Sequence, residues 1–165
     1  MKKVFKLLSL CIIASLIAGC SLPSLGEKTK TYTSHGISVT MNDKFYEKSL
    51  LSATVYLEST DSIFTALKED FNLLSTVGIT KDSTLREYAE LVVKANQLST
   101  QIIEEDGLTY FTYEKTVSGK DFYYLATVYK SNDAFWLINF ACEKNAQSSF
   151  KPKFIKWAKT VTFAN

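Results

Sequence analysis

Few residues in this chain have the chemistry of a general base or a nucleophile. The only histidine is His35, and no cysteine or acidic residue lies close enough in sequence to form a metal-binding pattern with it. Cys142 continues an apolar alternation with Trp136, Ile138 and Phe140, which is typical of a buried, inert thiol. One histidine and one such cysteine are too few for the usual zinc ligands. We therefore expect no catalytic residue, metal or cofactor.

Charged residues cluster at two places. The acidic run at residues 104–106 adjoins a hairpin glycine but lacks the spaced carboxylates of a calcium loop, so it is typical of a solvated turn. Near the C-terminus, four lysines lie opposite the apolar side of a predicted helix. They would form a solvated face or meet anionic lipid headgroups, and they are Lys151, Lys153, Lys156 and Lys159.

Tyrosines are concentrated in two neighbouring predicted strands. A tyrosine ring is apolar while its hydroxyl forms hydrogen bonds, which suits ligand or protein contact, although cross-strand packing explains the same residues. We take Tyr110, Tyr113 and Tyr123 as the candidate ligand-binding residues. The expected function is non-catalytic binding of a small molecule or an envelope protein. The alternative is an envelope enzyme that uses carboxylates and tyrosines alone.

The N-terminus has the pattern of an export signal. Lys2, Lys3 and Lys6 precede an apolar run over residues 7–17, and two small residues follow it. This run is shorter than the roughly 20 residues of a membrane-spanning helix. The sequence therefore predicts a signal peptide at residues 1–19.

Residues 16–20, LIAGC, resemble the lipobox of bacterial lipoproteins, which implies cleavage before Cys20 and acylation of its thiol. The alternative is an ordinary secretory cleavage site with a chance cysteine. Two or more acyl chains would hold the protein stably on the extracytoplasmic face of the cell membrane. Cleavage would leave 16 basic and 17 acidic residues, so the charge gives no support for nucleic-acid binding.

The remaining chain divides into a tether and one domain. Residues 20–30 contain proline, glycine and serine without apolar periodicity, and are predicted to be a lipidated tether. Residues 31–165 have a common single-domain length. No disulfide can form within them, because Cys142 is their only cysteine.

Apolar periodicity predicts the elements of this domain. Residues 84–97 have helical spacing and begin with a capping box formed by Thr84 and Glu87. A second amphipathic helix follows from Phe150 to Val161, with Ser149 as its cap and Pro152 in its first turn. The predicted strands cover residues 36–41, 52–58, 63–68, 100–104, 108–116, 121–130 and 134–142.

These elements predict an α+β fold. Short turns at Asp106-Gly107, Ser118-Gly119 and residues 131–133 make the later strands antiparallel. The last strand is apolar on both faces, so it needs cover on both. We expect an antiparallel sheet of six to seven strands, with the two amphipathic helices packed on it as an α/β/α sandwich.

Four segments and the order of the elements carry a resemblance. The segments are LREYAEL (residues 85–91), EDGLTYF (105–111), DAFWL (133–137) and FIKWAK (154–159). They resemble small lipoproteins of Gram-positive anaerobes with a PsbP-like fold. The element order is similar to that of PsbP, a photosystem II protein, and of the yeast Ran-binding nuclear import protein. The resemblance implies a PsbP-like domain and a membrane location, and no photosystem or Ran-binding residue carries over.

Overall fold

A computed structural model describes residues 28–164, so the predicted signal peptide and Cys20 lie outside the described residues. Three helices are present there: α1 (Phe71–Leu74), α2 (Leu85–Ala95) and α3 (Gln147–Ala158). Ten strands accompany them: β1 (Thr29–Ser34), β2 (Ile37–Asn42), β3 (Tyr46–Lys48), β4 (Val55–Glu58), β5 (Ser62–Asp70), β6 (Ile103–Glu105), β7 (Leu108–Val117), β8 (Lys120–Lys130), β9 (Ala134–Glu143) and β10 (Thr162–Phe163).

The strands form two antiparallel sheets. Seven lie in the order β3-β4-β5-β9-β8-β7-β6, and three lie in the order β1-β2-β10. Helix α2 packs on one face of the large sheet, while α3 and the small sheet cover the other. The predicted α+β fold, an antiparallel sheet of six to seven strands with two amphipathic helices packed on it, is confirmed.

Tight turns set the register of the central strands. Asp106 and Gly107 join β6 to β7, and Ser118 and Gly119 join β7 to β8, all four with positive φ. Two-residue hairpin turns of this kind match the right-handed twist of their strands. Both turns were predicted from the sequence.

Strand β9 supplies residues to both apolar cores. Trp136, Ile138 and Phe140 are buried on the α3 side. Phe135 is buried on the α2 side, where Leu137 packs against the same cluster. An apolar strand of this kind is stable only in the middle layer, which explains why both faces of the sheet are covered.

Helix α2 begins where the capping box predicts. The Thr84 hydroxyl accepts a hydrogen bond from the Glu87 backbone N–H at 3.1 Å, and the Glu87 carboxylate accepts one from the Thr84 N–H at 2.7 Å. Tyr88 stacks on Phe135 with 4.6 Å between ring centroids. The capping box fixes the start of the helix, and the stack holds it against β9, while α2 also packs on β7 and β8.

The start of α3 differs from the prediction. The helix begins at Gln147 after a 3₁₀ turn, so Ser149 lies inside it, and no side chain caps its first residue. Pro152 is therefore in the second turn, where its missing N–H removes one helical hydrogen bond. The predicted Ser149 cap and the first-turn position of Pro152 are both wrong. The helix ends at Ala158, so Val161 lies beyond it.

Three short strands were not predicted. These are β1, the exposed β3 and the two-residue β10. β10 pairs with β2, although the two strands are far apart in the sequence. As a result, the predicted strand at 36–41 forms the centre of the small sheet instead of joining the large one. Over residues 28–164, no helix is long and apolar enough to cross a membrane.

Candidate ligand-binding site

Helix α2 covers only part of the large sheet, and a cleft of about 520 Å³ opens where the helix ends. Pockets of this size hold small-molecule ligands. We call it the tyrosine cleft. Its floor comes from β5, β7, β8 and β9, and consists of Thr65, Leu67, Phe111, Tyr113, Tyr124, Leu137 and Asn139. Its walls are Val92, Asn96 and Leu98 on the α2 side, and Ser52 and Ala53 on the other.

Two stacked tyrosines form the centre of the floor. The rings of Tyr113 and Tyr124 face each other across β7 and β8 at 4.7 Å, with 2° between their planes. The Tyr113 hydroxyl donates a hydrogen bond to Asn139 Oδ1 at 3.1 Å. Burial raises the pKa of both tyrosines, so the hydroxyls remain protonated and act as donors.

The walls differ in how firmly they are held. On the α2 side, Asn96 Nδ2 donates to the Val92 carbonyl at 2.9 Å and closes the end of the helix. The opposite wall follows a loop in which Leu50 is exposed and Leu51 is fully exposed. The cleft therefore has one wall fixed by secondary structure and one on an exposed loop.

The structure separates the three candidate tyrosines. Tyr110 and Tyr123 are 5% and 2% exposed and lie in the core beneath α3. Tyr113 lies on the opposite face and lines the cleft. Side chains alternate along a strand, so residues 110 and 113 must occupy different faces. Of the three candidates, Tyr113 therefore lines the cleft, whereas Tyr110 and Tyr123 are buried on the other side of the sheet and cannot contact a ligand there.

His35 is exposed in the turn between β1 and β2, with a positive φ. Its Nδ1 lies 2.8 Å from the Ser34 hydroxyl, which in turn donates to Glu47 Oε1 at 2.7 Å. Since the single hydroxyl proton of Ser34 goes to Glu47, the serine accepts from His35. In a catalytic triad the histidine takes the serine proton and the acid orients the histidine, so this arrangement has the roles reversed.

Cys142 is 1% exposed, as its alternation with Trp136 predicts. Burial raises the pKa of its thiol to about 11. Because only the thiolate attacks electrophiles, a thiol that is protonated at neutral pH is a poor nucleophile.

We expect iodoacetamide to label Cys142 in the folded chain at pH 8 far more slowly than in the urea-unfolded chain. Unfolding removes burial and returns the thiol pKa to its ordinary value, which increases the thiolate fraction. Mass spectrometry of the peptide containing Cys142 would measure both rates. Equal rates in folded and unfolded protein would contradict a buried thiol, and peptide from a Cys142→Ala variant gives the background.

The charged clusters form surface ion pairs. Arg86 Nη2 lies 2.6 Å from Glu104 Oε2, and Lys159 Nζ lies 2.7 Å from Asp106 Oδ2. Pairs this exposed contribute little to stability. Across the described part of the chain, no three histidine, cysteine, aspartate or glutamate residues are placed to share a metal ion.

Asn139 and Tyr124 are cleft residues that the sequence prediction missed. Asn139 interrupts an otherwise apolar set on one face of β9, between Leu137 and Ala141. A polar residue in a strand apolar on both faces is the signal that would have identified it. Tyr124 follows from its pairing with Tyr113, which requires knowing the register of β7 and β8.

Comparison with solved structures identifies the architecture. Cyanobacterial PsbP from Synechocystis aligns over 87% of this chain and 97% of its own, with a TM-score of 0.54 and 14% identity. A Bacteroides thetaiotaomicron protein aligns over 84% of this chain and 48% of its own, with a TM-score of 0.53 and 10% identity. The chain has a PsbP-like fold.

A third solved structure aligns with a lower TM-score. LpqN of Mycobacterium tuberculosis, a protein involved in cell envelope biogenesis, aligns over 84% of this chain and 91% of its own, with a TM-score of 0.48 and 11% identity. No family model matches the chain, and no curated protein matches it by sequence. At these identities the likeness establishes the fold alone.

Proposed function

We propose that this protein is a non-catalytic binding module of the cell envelope that receives its ligand in the tyrosine cleft. The observation that carries the proposal is the floor of the cleft, where Tyr113, Tyr124 and Asn139 meet beside the end of α2. Apolar lining residues around a few convergent hydrogen-bonding groups are typical of a ligand site.

The N-terminal sequence supports an envelope location. A lipobox-like Cys20 follows the predicted signal peptide, and the described domain begins close behind with β1 at Thr29. Eight residues lie between them and reach at most about 26 to 29 Å. An acylated Cys20 would therefore hold the domain near the extracytoplasmic face of the membrane. The membrane is thus one expected partner of the protein.

The chemistry of the cleft favours binding over turnover. Its lining residues include no histidine or cysteine, and burial keeps the tyrosine hydroxyls protonated. Glu114, the carboxylate at the rim, pairs with Lys144 at 2.6 Å. A base or nucleophile with a suitable pKa is what an enzyme would need at this position.

The test uses the full chain with ¹³C-labelled tyrosine rings. A small-molecule extract of the envelope is added stepwise, and the NMR signals of the rings are followed. The ring signals of Tyr113 and Tyr124 are expected to shift, and replacing Asn139 with leucine should abolish the shift by removing the amide. Tyr46 is exposed and outside the cleft, so its signal is the internal control.

Shifts at Tyr46 alone, or none at all, would contradict the proposed site. Consumption of an extract component, lost on changing one carboxylate, would instead establish the enzyme alternative. Binding at the cleft without turnover is the expected result.

A further inference from the structure

Four aromatic rings stand in a row across the floor of the tyrosine cleft and beyond it. Phe111 and Tyr113 lie 6.2 Å apart, Tyr113 and Tyr124 4.7 Å, and Tyr124 and Phe122 6.4 Å, all measured between ring centroids. The separation of the two tyrosines equals the spacing of neighbouring strands. Both tyrosines line the cleft, and the Tyr113 hydroxyl reaches over β8 to Asn139 on β9.

This floor is rich in hydrogen-bond donors. A neutral tyrosine hydroxyl is a donor, and because Tyr113 already donates to Asn139, the hydroxyl left for a ligand is that of Tyr124. Asn139 accepts from Tyr113 through Oδ1, which leaves both N–H groups of its Nδ2 for a ligand. Thr65 adds a hydroxyl at the same level. The floor thus matches a ligand with many acceptor oxygens.

The cleft lacks a partner for a buried charge. Its charged lining residues, Glu114 and Lys115, are both exposed and lie at the rim. A charged group placed on the floor would lose its hydration without an opposite charge to replace it. The ligand segment that fills the cleft should therefore be uncharged.

An acyl chain would match the apolar lining residues but not the polar groups of the floor. It would bury Asn139 Nδ2 and the Thr65 and Tyr124 hydroxyls without partners, and unsatisfied polar groups destabilise a complex. A sugar supplies oxygens for these donors and C–H groups for the apolar residues. The apolar residues available to it are Leu67, Val92, Leu98 and Leu137.

We infer that the tyrosine cleft binds an uncharged carbohydrate. This inference rests on the proposed binding function and names the chemical class of its ligand. The sugar oxygens accept hydrogen bonds from Asn139, Thr65 and Tyr124, while the apolar lining residues cover its C–H surface.

The test uses the full chain in lipid nanodiscs and the ring signals of Tyr113 and Tyr124. Four probes are compared: triacetylchitotriose and cellotriose, which are neutral; trigalacturonic acid, which is anionic; and a 16-carbon alcohol. At least one neutral trisaccharide is expected to shift both signals. Asn139→Leu and Thr65→Val should each weaken its binding at least tenfold, whereas Tyr46→Phe should leave it unchanged.

Each other outcome overturns the inference. Shifts produced only by the alcohol or only by the acid would assign another ligand class and leave the cleft as a binding site. Shifts with the envelope extract but with none of the four probes would also exclude the carbohydrate and leave the cleft as a binding site. If neither the probes nor the extract shifts the signals, the binding function fails together with the carbohydrate.

Discussion

Replacing Trp157 with alanine is expected to lower the free energy of unfolding by about 3 to 5 kcal/mol. Trp157 is 5% exposed and contacts three aromatic residues at once. Its ring lies 5.6 Å from Phe45, 5.7 Å from Phe154 and 6.3 Å from Phe140. These neighbours belong to the segment after β2, to α3 and to β9, so the cavity would open where three parts of the fold meet.

Urea denaturation followed by fluorescence would measure this loss. The buried Trp136 remains as the reporter in the variant. Phe150, on the same helix, is only partly buried, and Phe150→Ala is the matched control with a smaller expected loss. A decrease below about 1 kcal/mol for Trp157→Ala would contradict its place in the core.

Changing Cys20 to serine is expected to abolish lipidation and release the protein from the membrane. Serine at this position lacks the thiol that would carry the diacylglycerol, and without acyl chains the membrane affinity falls steeply. Labelling with a palmitate analogue and fractionation of the cells would measure both effects. The change from complete anchoring to none is the largest effect that we expect.

Two other cysteines provide matched controls for this variant. Cys11 lies within the predicted signal peptide and Cys142 in the core, so Cys11→Ser and Cys142→Ser should both retain the label. Equal labelling of Cys20→Ser and the wild type would refute the anchor. Loss of label only in Cys11→Ser would point to another acylation site.

The sequence predicted those elements whose structure is determined by residues close together in the chain. The capping box at Thr84 located the start of α2, and the turn residues Gly107 and Gly119 located the hairpins around β7. Alternating apolar residues likewise predicted β5 and β7 to β9. In each of these elements the residues that determine the structure are neighbours in the sequence.

Elements that depend on distant partners were missed. β10 has two residues and exists because it pairs with β2, more than a hundred positions earlier. β3 is exposed along its whole length, so it has no apolar alternation to detect. The start of α3 also failed, because a 3₁₀ turn leads into the helix and replaces the side-chain cap expected at Ser149.

The candidate site was predicted only in part for the same reason. Alternation assigns Tyr110 and Tyr113 to opposite faces, but it does not tell which face is open. That depends on where α2 ends over the sheet, which is a property of the packed domain. The partners of Tyr113, which are Tyr124 and Asn139, follow from cross-strand register.

The most direct test of binding in the tyrosine cleft is photo-crosslinking in living cells. A photoreactive amino acid would replace Ser52, on the rim of the cleft, or Lys81, an exposed residue outside it. We predict that irradiation adds a small-molecule mass to the Ser52 variant and none to the Lys81 variant. Adding Asn139→Leu to the Ser52 variant should remove that mass. Identical products from both positions, or none from Ser52, would contradict the binding site.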